Sequence, residues 1–150
     1  FISEEPFQVV VPSEHKWAKR KSVHPDELVG EHAILLNVGH CFRDQVLEAC
    51  PGLQKAIREK TAQGNTVIEG SSLETLKHMV ASGLGITVLP ESAAREATYG
   101  ERTLAVRPFL DPAPKRSIAL AWPVRRCAAS PSSTLAAPTK LATKRVAGAL

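Results

Sequence analysis

Cys41 and Cys50, nine residues apart, are the side chains of this sequence best suited to covalent chemistry. They bound the stretch Gly39-His40-Cys41-Phe42-Arg43-Asp44-Gln45-Val46-Leu47-Glu48-Ala49-Cys50. A thiol reacts as its thiolate, which nearby positive charge or a helix N-terminus favours. Cys41 has candidates for both, with His40 before it, Arg43 after it and a helix beginning beside it. Asn37-Val38-Gly39 reads as a loop, and Phe42 to Ala49 as a helix with Phe42, Val46 and Leu47 on one side. If the whole segment were helical, nine steps of about 1.5 Å would part the two Cα atoms by roughly 13 Å, on opposite faces. A disulfide needs about 7 Å or less. The cysteines are therefore either inert structural thiols or a pair that can join only through a local refold, which is the making of a switch.

The neighbouring elements must hold that segment. Phe7 to Val11, β-branched between Pro6 and Pro12, reads as a buried strand. Ser13 to Val23 is polar and basic, with Trp17 as an aromatic lid on the core or a surface anchor. Pro25 to Leu28 reads as a short helix, and Ala33 to Leu36 as a strand leading into the loop before His40. Pro51-Gly52 reads as a turn, Leu53 to Lys60 as a short helix or mobile connection, and Gly64-Asn65 as a further turn. Thr66 to Ile68 reads as a third strand. The clearest helix is capped by Ser72, carries Leu73, Leu76, Met79 and Val80 on one face, and stops at Gly83. Gly85 to Pro90 reads as a strand and Glu91 to Glu96 as a short helix. Thr103 to Val106 and Ser117 to Trp122 read as strands around a proline-rich loop. Strands alternating with helices imply an α/β sheet with crossover connections.

The Gly39–Cys50 segment closely resembles the redox segment of the peroxide-sensing activators of the LysR-type family. The resemblance continues through Gly70 to Pro90, and covers Glu5-Pro6 through Ala18 and Pro114 to Ile118. It implies a type 2 periplasmic-binding-protein-like effector domain, two α/β subdomains joined by two crossing strands. The first crossing would lie near Phe7–Val11, with the second subdomain complete and the first only partly present. A DNA-binding winged helix-turn-helix would precede Phe1, and the chain, lacking an initiator Met, reads as a piece of something longer. Residues 1–122 would be the redox-sensing regulatory domain. Residues 123–150, rich in Ala, Ser, Thr and Pro where the family has an amphipathic helix, read as a low-complexity, disordered or frameshifted tail. Cys127 has no counterpart in the motif and reads as incidental.

The same resemblance implies roles. Cys41 would be the peroxidatic thiol, passing from thiolate to sulfenic acid, and Cys50 the resolving thiol that closes a reversible disulfide. His40 and Arg43 would stabilise the thiolate and the charge developing on peroxide. Asp44 would orient Arg43 or a bound water, or else be a solvated helix carboxylate. Arg116 would reach the site from a distant strand, or else be one more basic residue of the tail. The implied partners are hydrogen peroxide, further copies of the chain (a dimer or tetramer), DNA through the missing N-terminal domain, and a glutaredoxin-type reductant.

Composition narrows the field. No apolar run approaches the length of a membrane span, and Phe1-Ile2-Ser3-Glu4-Glu5 is not the start of a signal peptide. Three cysteines argue for a reducing, cytoplasmic setting rather than a disulfide framework. The net charge of +4 belongs to the tail. Residues 1–111 carry twelve basic and fifteen acidic groups, so the body is not a nucleic-acid surface by charge. His15, His24, His32 and His78 lie outside any zinc spacing, so no metal or cofactor is expected. Two other functions compete with the redox sensor. One is an effector domain binding a small metabolite in the interdomain cleft, with incidental cysteines. The other is a thiol peroxidase, disfavoured because the chain has no Cys-x-x-Cys, so no enzyme is expected.

Overall fold

The computed structural model describes residues 3–64, 67–94, 98–99 and 102–121. In chain order the elements are β1 (Ser3–Pro12), two 3-10 helices (Lys16–Lys19 and Pro25–Gly30), β2 (Leu35–Leu36), α1 (Cys41–Ala49) and α2 (Pro51–Ala62). They continue with β3 (Glu69–Gly70), α3 (Leu73–Ala81), β4 (Thr87–Pro90), β5 (Thr98–Tyr99), β6 (Arg102–Pro108) and β7 (Lys115–Ile118).

β1 is the central strand, as its run of β-branched residues requires. Its second half runs antiparallel between β4 and β6, with Val9 opposite both Val88 and Arg107. Val9, Val10 and Val11 are fully buried. Its first half leaves those partners and pairs instead with β7, Glu5 opposite Arg116. One strand thus serves two pairings along its length, as a crossing strand between subdomains should. On the other side β2 and β3 are parallel, and a parallel bridge from Ala33 to Ile86 joins β2 to the start of β4. The bridge is close because Gly85 lies against the His32 carbonyl, where any Cβ would collide. The arrangement is the expected periplasmic-binding-protein-like α/β lobe, with parallel strands at one side and antiparallel crossing strands at the centre.

The helices pack on this sheet through the residues their periodicity marks. In α3, Leu76 and Val80 are buried and Leu73 and Met79 partly so. The Ser72 hydroxyl accepts from the Thr75 amide at 3.1 Å, and Gly83 takes a positive φ of 80° to end the helix. Trp17 is a lid, 2% exposed.

Four expectations shift. Pro51-Gly52 is no turn: Pro51 is the first residue of α2, where its missing N–H costs nothing. The third strand lies at Glu69–Gly70, after Val67 and Ile68. Residues 91–93 form a turn rather than the start of a helix. The last strand is Lys115–Ile118, drawn back by its register with β1. The expected tail, residues 123–150, and Cys127 lie outside the described residues.

Candidate redox site

The parallel pair β2–β3 sets the site. β2 runs into Asn37-Val38-Gly39, where Gly39 adopts a φ of +98° that other residues rarely tolerate. The chain then turns into α1 with His40 as N-cap, extended and making no side-chain cap hydrogen bond. Cys41 is the first residue of the helix, exposed and unpaired. Its sulfur lies at a helix N-terminus, which favours negative charge.

Cys50 has the opposite surroundings. It is 2% exposed, and it is at once the C-cap of α1 and the N-cap of α2. Its amide donates to the Val46 carbonyl at 2.9 Å, and its carbonyl accepts from the Gln54 amide at 3.1 Å. Burial pushes the Cys50 thiol up to about 11, and the Asp26 carboxylate adds to the effect. One thiol is thus open to solvent and the other is held protonated in the core. Both are free, with α1 between them, so their Cα atoms are roughly 13 Å apart by helix rise.

The residues around Cys41 divide into three groups. His40 and Asp44 are exposed beside it. Phe42 turns inward, edge-on to Phe7 of β1 at 5.7 Å between ring centroids, with the Arg116 guanidinium over its ring at 5.7 Å. Arg116 therefore does reach the first turn of α1 from β7. It is held there by Glu5, at 2.6 Å from Nη2 and 2.7 Å from Nε. Burial alone would raise the Glu5 carboxyl, but hydrogen bonds from Ser92 and Arg116 outweigh it and hold Glu5 below its ordinary value. Arg43 points elsewhere. It is 8% exposed, and its Nη1 donates to the Leu36 carbonyl and to Glu69 Oε1, both at 2.7 Å. The structure thus places Arg116 over the ring of Phe42, the residue after Cys41, and commits Arg43 to the strands.

Sequence reasoning did not find Glu69, Glu5 or Gln45. Glu69 and Glu5 act through partners 26 and 111 residues away, and no local pattern reports such distances. Gln45 is one helical turn after Cys41. Its Oε1 is buried without a hydrogen-bond partner among the described residues, and a helical wheel with Cys41 on it would have pointed to that position.

Residues 1–137 match the LysR substrate-binding domain family. The chain belongs to that family. It is 39% identical over 123 residues to the hydrogen peroxide-inducible genes activator of Pectobacterium carotovorum subsp. carotovorum, covering 81% of this chain and 37% of the relative. The reduced form of the OxyR regulatory domain from Pseudomonas aeruginosa shares 46% identity and superposes with a TM-score of 0.59, over 75% of this chain and 50% of that one. A crystal structure of the oxidised form of OxyR gives 33% identity and a TM-score of 0.53, over 77% of this chain and 50% of that one. The chain is thus similar to OxyR regulatory domains, and relatives of its kind have been seen both reduced and oxidised. It spans about 37% of the length of the curated relatives it matches.

Two further features complete the surface. A cavity of about 470 Å³ opens between the second 3-10 helix, α2 and the approach to β3, lined by Val29, His32, Leu53, Ile57, Lys60 and Ile68 among others. Among the described residues no helix is long and apolar enough to cross a membrane, and no group of three or more His, Cys, Asp or Glu is placed to hold a metal ion.

Proposed function

We propose that this chain is the redox-sensing part of a peroxide-responsive LysR-type transcriptional activator, switched by a reversible Cys41–Cys50 disulfide. The observation that carries the reading is the contrast between the thiols: Cys41 exposed at the first position of α1, Cys50 buried and protonated where α1 meets α2. In the first step the Cys41 thiolate attacks one oxygen of hydrogen peroxide. The O–O bond breaks, Cys41 becomes sulfenic acid, and the other oxygen leaves as water after taking a proton. In the second step the Cys50 sulfur attacks the Cys41 sulfur, the S–O bond breaks, and a second water leaves. Because α1 separates the sulfurs, the second step needs α1 to unwind, and the rearranged segment is the signal.

His40 and Asp44 flank the reacting sulfur, and Arg116, held by Glu5 over Phe42, supplies positive charge near the helix start. The sensing domain is taken as residues 1–122. The full regulator works in the cytoplasm as a homo-oligomer, engages DNA through a segment outside this chain, and is reset by a glutaredoxin-type reductant. It is a sensor rather than an enzyme, because one equivalent of oxidant sets its state.

The test is thiol trapping. The full chain is treated with slightly more than one equivalent of hydrogen peroxide, alkylated, digested and mapped by mass spectrometry, with Cys127 as internal comparison. A dominant Cys41–Cys50 link within minutes is expected. Oxidation of Cys41 no faster than Cys127 would overturn the reading. The cavity beside α2, within the usual volume of small-ligand sites, favours a second reading, an effector domain for a small metabolite. A metabolite that raises Tm equally in a Cys41→Ser variant and the parent would support it.

A further inference from the structure

We infer that the Arg43–Glu69 ion pair is a latch that holds α1 in its dithiol form and so sets how readily the Cys41–Cys50 disulfide forms. The inference rests on the redox reading above and assigns the pair a task within it, as positioning residues rather than groups that touch peroxide.

Three observations lead to it. The first is placement. Arg43 is two residues after Cys41, in the turn that must give way if roughly 13 Å between Cα atoms is to shrink below about 7 Å. The second is connection. A single Nη1 bonds the Leu36 carbonyl at the end of β2 and the Glu69 carboxylate on β3. Leu36 and Glu69 belong to adjacent parallel strands, with Leu35 opposite Glu69 and Leu36 opposite Gly70. One side chain therefore pins the first turn of α1 to both strands of the pair. The third is burial. The Arg43 side chain is 9% exposed and that of Glu69 31%. A buried guanidinium deprived of its carboxylate is strongly disfavoured.

Beyond the Arg116 guanidinium over the Phe42 ring, the other side chains of α1 that face the core are apolar. Phe42 and Val46 can be covered again by many arrangements of a refolded segment, because hydrophobic contact is non-directional. The Arg43 bonds cannot, since they need two acceptors at fixed positions on two strands. An interaction present in the dithiol form and broken in the disulfide form lowers the equilibrium constant for oxidation by its own strength. Weakening it must make the disulfide easier to form.

The experiment is a redox titration of the full chain in glutathione buffers. The two thiols give up two electrons and two protons to glutathione disulfide, which leaves as two glutathione thiols, and the Cys41–Cys50 link is counted by alkylation and mass spectrometry. Glu69→Gln is expected to raise the equilibrium constant for disulfide formation about tenfold, a potential about 30 mV more negative. Arg43→Lys, which keeps the charge and loses the planar fork, is expected to shift it in the same direction by less. Glu74→Gln, which breaks the Glu74–Lys77 pair on α3, is expected to leave the potential where it is. That control separates a latch from general destabilisation.

An unchanged or less negative potential in Glu69→Gln would overturn the inference. If Glu69→Gln fails to fold, as judged by circular dichroism, the same criterion passes to Arg43→Lys. The two failures are distinct. If the parent chain forms no Cys41–Cys50 link, the redox reading has failed and the latch with it. If the parent links and the variants titrate with it, only the latch has failed.

Discussion

The buried thiol of Cys50 makes stability depend on pH in a calculable way. Its value is pushed from 9.0 to about 11 by burial and by Asp26. Between those two values an unfolded chain has lost the proton that the folded chain still holds. Stability from this group is therefore full below pH 9 and drains away as pH rises toward 11. Two units at about 1.4 kcal/mol each give about 3 kcal/mol at stake. Lysine and tyrosine also titrate in this range, so the measurement is a difference. Urea unfolding of the parent and of Cys50→Ala, under reducing conditions from pH 8 to pH 11, gives two curves whose separation isolates the thiol. The gap should be constant up to about pH 9 and then fall by about 2 kcal/mol by pH 11. The same shift makes Cys50 at pH 8 about 100-fold less ionised when folded than when unfolded, so iodoacetamide should label Cys41 first and Cys50 only in denaturant. A gap that stays constant through pH 11, or equal labelling of both thiols in the folded chain, would refute the reasoning.

Other expectations follow from packing and charge. Phe42→Ala removes the edge-on contact with Phe7 and the ring beneath Arg116, and should cost about 3 kcal/mol in urea unfolding. Gly85→Ala drives a Cβ into the His32 carbonyl beside the Ala33–Ile86 bridge. It should cost about 3 kcal/mol or more, read as loss of soluble folded protein or a lowered Tm. Glu5 is held below its ordinary value, so the stability it adds is present above about pH 4.5 and lost as pH falls further. Glu5→Gln should be less stable than the parent at pH 6 and should lose less on acidification to pH 3 by thermal unfolding.

The sequence disclosed its elements where local chemistry decided them. α3 was legible because Ser72 caps it and Gly83 ends it, and β1 because three consecutive valines between prolines have few other uses. Pro51 was misread because a proline followed by glycine signals a turn and a helix start equally well. What decides is the burial of Leu53 and Ala56 under α2, a tertiary fact. Thr66 to Ile68 has the composition of a strand, yet β3 begins at Glu69 because pairing with Leu35 fixes the register. The cysteines, His40 and Asp44 announced themselves by type and spacing. Arg43 did so too, but its bonds to Leu36 and Glu69 did not. The same holds for Arg116, whose place over Phe42 depends on Glu5 across a strand pair.

Cys50 is the single residue between α1 and α2, and this leaves the segment without slack. A loop at that point would absorb a displacement of the sulfur within itself. Here the amide of residue 50 is bonded into the helix behind it and its carbonyl into the helix ahead. Any pull on its side chain is a pull on both. The 9 residues of α1 and the 12 of α2 thus meet at one residue, together about 30 Å of helix at ordinary rise. On the proposed switch α1 gives way, so a displacement of the Cys50 sulfur falls directly on α2, whose first turn is bonded to the carbonyl of residue 50.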